Sequence, residues 1–260
     1  MDKSTQERIE LIRNQGYSID FGNIFNHAFE NYKKIALYAG LMIFVFFVLL
    51  TIAGAGALVA TVGSPAILDF FKPENLKVEN LGVTTLLTIS GVSIVVGSLL
   101  SPITAGLIKM AHCAEKDEEF HVSTMFEFYT APYFKELFLA TFIVSLVNGV
   151  LSSAINYFQI PLLGFVITVA FSLFTIMMIP LIIFGKLKAL EAIETSIMIV
   201  SKQPLVLLGL IVVGSIASMV GFIGCCIGVL FTIPFMYSLY YAIYNEIIGV
   251  TTDNELEERF

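Results

Sequence analysis

Charged residues are absent from four long stretches of this chain, residues 35–68, 80–108, 137–185 and 203–245, which run for 34, 29, 49 and 43 residues. A bilayer's hydrocarbon core is about 30 Å thick, and a helix rising about 1.5 Å per residue crosses it in roughly 20 residues. The first two stretches therefore predict one crossing each. The last two are about twice the needed length and carry turn signals near their middles, so each predicts two. The pattern predicts six transmembrane helices. Unbroken apolar runs also exclude an outer-membrane barrel, whose strands alternate over about ten residues.

The connections follow from turn residues. Span one is expected to end at Gly63, Ser64 and Pro65, before an external loop with Asp69, Phe70, Phe71, Lys72, Pro73 and Glu74. Spans three and four are expected to meet between Asn156 and Pro161, the proline standing at a first helical position where its missing donor costs nothing. Spans five and six meet around Gly221, Gly224, Cys225, Cys226 and Gly228. Short turns of this kind make antiparallel hairpins.

An amphipathic segment precedes each hairpin. Phe21, Phe25, Ala28, Phe29 and Tyr32 share one helical face. Val122, Met125, Phe126, Tyr129 and Tyr133 repeat that spacing, with a capping-box pattern from Thr124 to Glu127. Leu190, Ile193, Ile197 and Val200 form a third stripe opposite Glu191 and Glu194. Ile24, Met125 and Ala192 lie ten residues before Lys34, Lys135 and Lys202, the lysines that open spans one, three and five. The chain thus reads as three copies of one unit: interfacial helix, span, return span. Each return span holds a proline, Pro102, Pro180 or Pro234, which removes a backbone hydrogen bond and predicts a kink. Kinks there splay helix ends and predict a cavity between them.

Charge sets the orientation. With six spans the 14 basic residues divide twelve to two, the terminal side holding the twelve. Positive charge is retained in the cytoplasm, so both termini are expected there, with no cleavable signal peptide. Apolar residues make up 57% of the chain and charged residues 13%, about half the share in a soluble domain. The expected layout is a cytoplasmic segment 1–19, one membrane domain 20–249 and an acidic tail 250–260. The net charge of −7 and the acidic tail give no footprint for nucleic acid.

Four segments, SIDFGNIFNHAFENYKK, SPITAGLIKMA, IPLIIFGKLKALEAIETSIMIVSKQP and GVLFTIPFMYSLYYAIYNEIIG, carry a family likeness. Across residues 18–249 the chain resembles the YciC-like bacterial inner-membrane proteins, which are similar to the membrane domain of some glycerophosphodiester phosphodiesterases. The resemblance implies six helices in a bacterial cytoplasmic membrane. It brings no catalytic residues, since the hydrolytic barrel needs far more polar chain than this.

The inventory of reactive groups points the same way. His27, His112 and His121 fall at the cytoplasmic edge, and His112, Cys113, Glu115 and His121 match no structural zinc spacing. Cys225 and Cys226 are adjacent, with Cys113 across the membrane, so no disulfide within the chain is expected. No phosphate loop, nucleophile elbow or paired-carboxylate motif appears. No charged residue lies at mid-span, where ion-coupled carriers place them. Asn148 is an interior polar group beside the small-residue face Ser145, Gly149 and Ser153, and is expected to hydrogen-bond between helices. Gly97, Ser101 and Ala105 form another such face. Tyr237, Tyr240, Tyr241 and Tyr244 share one face near the cytoplasmic end of span six, a headgroup belt or a contact face.

The sequence therefore predicts an all-α integral membrane protein with no enzyme activity, cofactor or metal. Its expected partners are the lipid bilayer and another membrane protein, met through Tyr237, Tyr240, Tyr241, Tyr244, Glu191 and Glu194. The alternative is a small transporter or lipid-handling protein working through the kinked return helices.

Overall fold

The computed structural model describes residues 3–64, 72, 82–157, 161–224 and 227–250, and the regular elements among them are all helical. Five segments are long and apolar enough to cross a membrane: Phe21–Ala57, Thr84–Glu115, Tyr133–Ile155, Leu162–Ile183 and Pro204–Phe222. Most of the loop holding Phe70 and Phe71, the turn after Tyr157, Cys225 with Cys226, and the acidic tail lie outside the described residues.

The chain opens with α1 (Lys3–Gln15), which buries Ile9 and Ile12. Next, α2 (Phe21–Val62) starts at Asp20, whose carboxylate accepts the Asn23 amide at 2.8 Å. The first amphipathic segment was expected to be a separate helix. It is instead the first third of α2, because neither Gly nor Pro falls between Gly22 and Gly40 and the Glu30–Lys33 pair supports the turn between. At 42 residues α2 is about 63 Å long, twice the hydrocarbon thickness.

Pro102 lies inside the uninterrupted helix α3 (Val83–Glu115). Proline supplies no donor to the carbonyl four residues back, that of Ser98, and the Ser101 hydroxyl donates to it at 2.8 Å instead. The second amphipathic segment is short: α4 (Val122–Phe126) and a 3-10 turn, Glu127–Tyr129. Helix α4 starts after His121, not at Thr124; the Thr124 hydroxyl accepts the His121 amide, and Glu127 falls at the helix's end. Thr130, Ala131 and Pro132 then stop the helix, since a residue before proline avoids the helical region. Gly106 of α3 lets α4 approach: a Cβ there would stand 2.4 Å from the Met125 carbonyl oxygen.

Helix α5 (Tyr133–Tyr157) packs along α3, with Gly149 facing Ile94. It continues through Asn156, which was expected in the turn. The buried Oδ1 of Asn148 has no hydrogen-bond partner among the described residues. The following membrane-length unit breaks in two, α6 (Pro161–Phe174) and α7 (Met178–Ile183), just ahead of Pro180. The third amphipathic segment, α8 (Ala189–Lys202), stitches that break: the Ser196 hydroxyl donates to the Phe174 carbonyl at 2.7 Å and accepts the Met177 amide at 3.1 Å. Glu136 of α5 accepts the Ala189 amide at the start of α8, at 2.8 Å.

Helix α9 (Pro204–Met219) runs on into a 3-10 turn, Val220–Gly224. The last apolar stretch is not one continuous helix. It forms α10 (Ile227–Thr232) and α11 (Pro234–Ile247), divided at Ile233 because Pro234 cannot donate to Leu230 and its ring crowds that carbonyl. The three prolines thus differ: Pro180 and Pro234 coincide with helix breaks, and Pro102 does not.

Candidate functional site

Helix α11 is the hub of the buried end of the bundle. Phe235 meets the rings of Phe25, Phe29 and Tyr32 of α2 at 5.5–6.4 Å, and the Ser238 hydroxyl donates to the Ala28 carbonyl at 2.7 Å. One turn further on, α2, α3 and α11 bring six polar side chains together. His27 Nε2 lies 2.7 Å from Glu115 Oε2, and Asn245 Nδ2 donates to Glu115 Oε1 at 3.1 Å. Tyr241 packs beside this pair, its hydroxyl 3.0 Å from His112 Nδ1. Asn31, 3% exposed, faces Glu115 while its Nδ2 has no hydrogen-bond partner.

Glu115 is the acceptor at the centre of this group. Among the described residues His27 is its ion-pair partner, charged when the imidazole is protonated. Buried carboxylates are costly unless paired and hydrogen-bonded, and here donors from α2 and α11 meet one carboxylate on α3. The arrangement fixes the three helices to one another. Among the described residues no three His, Cys, Asp or Glu side chains come together as a metal site.

A second set of contacts holds α1 and the following loop. Arg8 Nε donates to the Ile247 carbonyl at 2.9 Å, closing the end of α11, where a cation also favours the helix dipole. Tyr17 donates to the Ile199 carbonyl at 3.0 Å, and burial pushes its phenol up to about 12, so it remains a neutral donor at physiological pH. Lys202 Nζ donates to the Arg13 carbonyl at 3.0 Å, and Gln203 to that of Tyr17. Lys34 Nζ donates to the Ala114 carbonyl at 2.8 Å and pairs with Asp117, closing α3 in the same way.

The sequence-derived residues separate in space. Tyr241 and Tyr244 are fully buried inside the chain, while Tyr237 and Tyr240 are half-buried. Glu191 and Glu194 are exposed and line a small cavity of about 240 Å³ with Gln6, Glu10 and Arg13 of α1. The six-residue group around Glu115 went unseen in the sequence, because His27 is 88 positions from Glu115 and Asn245 is 130. A local signal existed: Tyr241 and Asn245 share a helix face, as do His112 and Glu115, and polar groups on otherwise apolar helices need partners. Compared with known proteins, the chain matches no family, no curated sequence and no solved structure.

Proposed function

We propose that this chain is a six-span protein of the bacterial inner membrane, with both termini in the cytoplasm, that acts by binding as an accessory or scaffold subunit. The sixth crossing is the pair α10 and α11, which together cover residues 227–247, enough for a bilayer. The likeness to YciC-like proteins and the twelve-to-two division of basic residues support the orientation. The observation that carries the reading is the outer surface of α8. Its inner face is closed by Ala192, Thr195, Ser196 and Ile199, while Leu190, Ile197, Glu191 and Glu194 remain outside. An apolar pair beside two carboxylates, on a helix anchored through Ser196 and Glu136, is a rigid surface for a membrane-protein partner.

Two experiments test this. Single cysteines at Glu74 or Asn80, in a chain lacking its own cysteines, are expected to label from outside cells, and cysteines at Asp117 or Lys188 only after lysis. External labelling at Asp117 sinks the topology. The double substitution Glu191→Lys/Glu194→Lys is expected to remove a stoichiometric partner from mild-detergent preparations while insertion persists. Retention of that partner refutes the α8 surface.

A further inference from the structure

The helix break before Pro180 opens a groove of about 690 Å³ between α6–α7 and α9, floored by Ile108 and Tyr240. That volume lies within the usual range of about 300–1,000 Å³ for small-molecule sites. Its walls are mainly apolar, with Val169, Ile176 and Ile179 on one side and Leu208, Ile211 and Val212 on the other, and Thr168, Ser172 and Ser215 set among them. On α9 the lining runs over residues 208–219, about 17 Å of helix, close to the roughly 15 Å of hydrocarbon in one leaflet. The rim continues the surface that faces lipid, with Phe165 68%, Met219 62% and Ile216 60% exposed on membrane-length helices.

Polar groups sit where an amphiphile would present its own. Tyr240 lies six residues, about 9 Å of helix, before Glu246, the first charge beyond this apolar stretch. Among the described residues its hydroxyl has no hydrogen-bond partner, and its ring packs on that of Tyr237. Pro180 also leaves the Ile176 carbonyl without the donor that residue 180 would supply. By contrast, the Thr175 hydroxyl in the groove is already bonded to the Phe171 carbonyl at 3.0 Å.

We propose that this groove holds one acyl chain of a membrane phospholipid, with the Tyr240 hydroxyl donating to the ester carbonyl at the head of that chain. The groove opens to the bilayer along its length, its span fits one leaflet, and its free donor stands near the charged edge. A protein helix is the poorer fit, since its diameter of about 10 Å or more exceeds what a slot between two neighbouring helices admits. This goes beyond the binding role proposed above and does not rest on it: the α8 surface and the groove are lined by different residues.

The test uses the full chain in nanodiscs of phosphatidylethanolamine and phosphatidylglycerol, with a trace of phosphatidylglycerol carrying a diazirine in one acyl chain. After irradiation, peptide mapping is expected to place label on Ile176, Ile179 and Val212 at about five times or more the level on Leu37 and Val150, which face bulk lipid. Ser215→Phe, which fills the groove, is expected to bring the groove residues down to that control level. Should that variant misfold, Thr168→Phe tests the same point from the opposite wall. Tyr240→Phe is expected to lower groove labelling about threefold, the worth of one neutral hydrogen bond. Even labelling of all lipid-facing helices overturns the proposal. Crosslinking of groove residues to another polypeptide in irradiated native membranes, with lipid label absent, also overturns it.

Discussion

The two ends of the bundle differ in what surrounds their helices. Near Lys34, Glu115 and Lys202, helix α3 is closed in by protein: Ser98, Ala105, Met110 and Ala111 have no exposed surface. Toward the other end of the same helix, residues 87–93 are all exposed, as are residues 47–57 of α2. Seven consecutive positions cover almost two turns of helix, so no face of these segments is buried against another part of the described chain. In water such apolar surface would drive collapse, but in lipid there is no hydrophobic force between helices. Packing then follows polar contacts and small residues. The packed end has Glu115 with its donors, Ser238 on Ala28 and Ser196 in the α6–α7 break; among the described residues, positions 87–93 of α3 have no such bond to another helix.

Four substitutions probe that contrast, and the largest effect belongs to Gly106. A Leu there drives its Cβ into the backbone of Met125, which has no room to yield. Overpacking costs about 1–3 kcal/mol, and with a backbone collision we expect the top of that range or more. Cys113, buried and free, is a built-in reporter: in a Cys225→Ser/Cys226→Ser chain its thiol should react with maleimide only as the packed end opens. Gly106→Leu is expected to expose it at once in mild detergent. Unchanged protection would show that α4 is not seated on α3.

Glu115→Ala comes next. It leaves His27 and Asn245 without their acceptor, and an unsatisfied buried group costs about 1–3 kcal/mol. The side chain is 27% exposed, so water offsets part of this, and we expect about 2 kcal/mol from thermal unfolding in detergent. Glu115→Gln keeps an acceptor and should recover part of the loss. Equal losses in Gln and Ala would mean that charge, rather than hydrogen bonding, holds the three helices.

Ser196→Ala is smaller. It strips the Phe174 carbonyl and Met177 amide of their shared partner, at about 1 kcal/mol. Hydrogen exchange should quicken at Met177 and not at Ala140 of α5. No change at Met177 would show that the break is held by other contacts.

Five of the six expected spans were legible because absence of charge over the length of a bilayer is a global property of the sequence. What the pattern left open was which residues of each amphipathic face meet the bundle. In α2 the stripe divides: Phe21 and Phe29 are exposed, whereas Ala28 of the same stripe is buried together with Ile24 and Asn31. In α8 Leu190 is 61% exposed and Ser196 is buried. In α4 Val122 and Phe126 are exposed, and Met125 is buried. A sequence rule that sends large apolar residues inward assumes water outside. Beside lipid those residues face outward at no cost, and small or hydrogen-bonding ones make the contact. The separate first amphipathic helix was misread for a related reason: its polar residues suggested a boundary, but only a helix breaker makes one. The Glu115 group depends on which helices become neighbours, and no single segment carries that information.

The smallest effect is expected at Gly97, and it is the sharpest test of the contrast. Gly97 lies nine residues from Gly106 on α3 and belongs to the same run of small residues as Ser101 and Ala105. Near Ser101 and Ala105 that run is buried, whereas a Cβ at Gly97 would meet nothing within 4 Å. Gly97→Leu should therefore leave Cys113 protection unchanged and alter stability by at most about 1 kcal/mol, in the favourable direction, because Leu is the better helix former. The same outcome is expected at Gly54 of α2, which is equally open. If Gly97→Leu instead destabilises by more than about 1 kcal/mol, the open end is packed in the membrane against something other than lipid, since an overpacked contact is the change that costs this much. The difference between the two ends would then belong to the isolated chain and not to its assembly. Crosslinking through a cysteine at Gly97 would show whether the covering surface is a second copy.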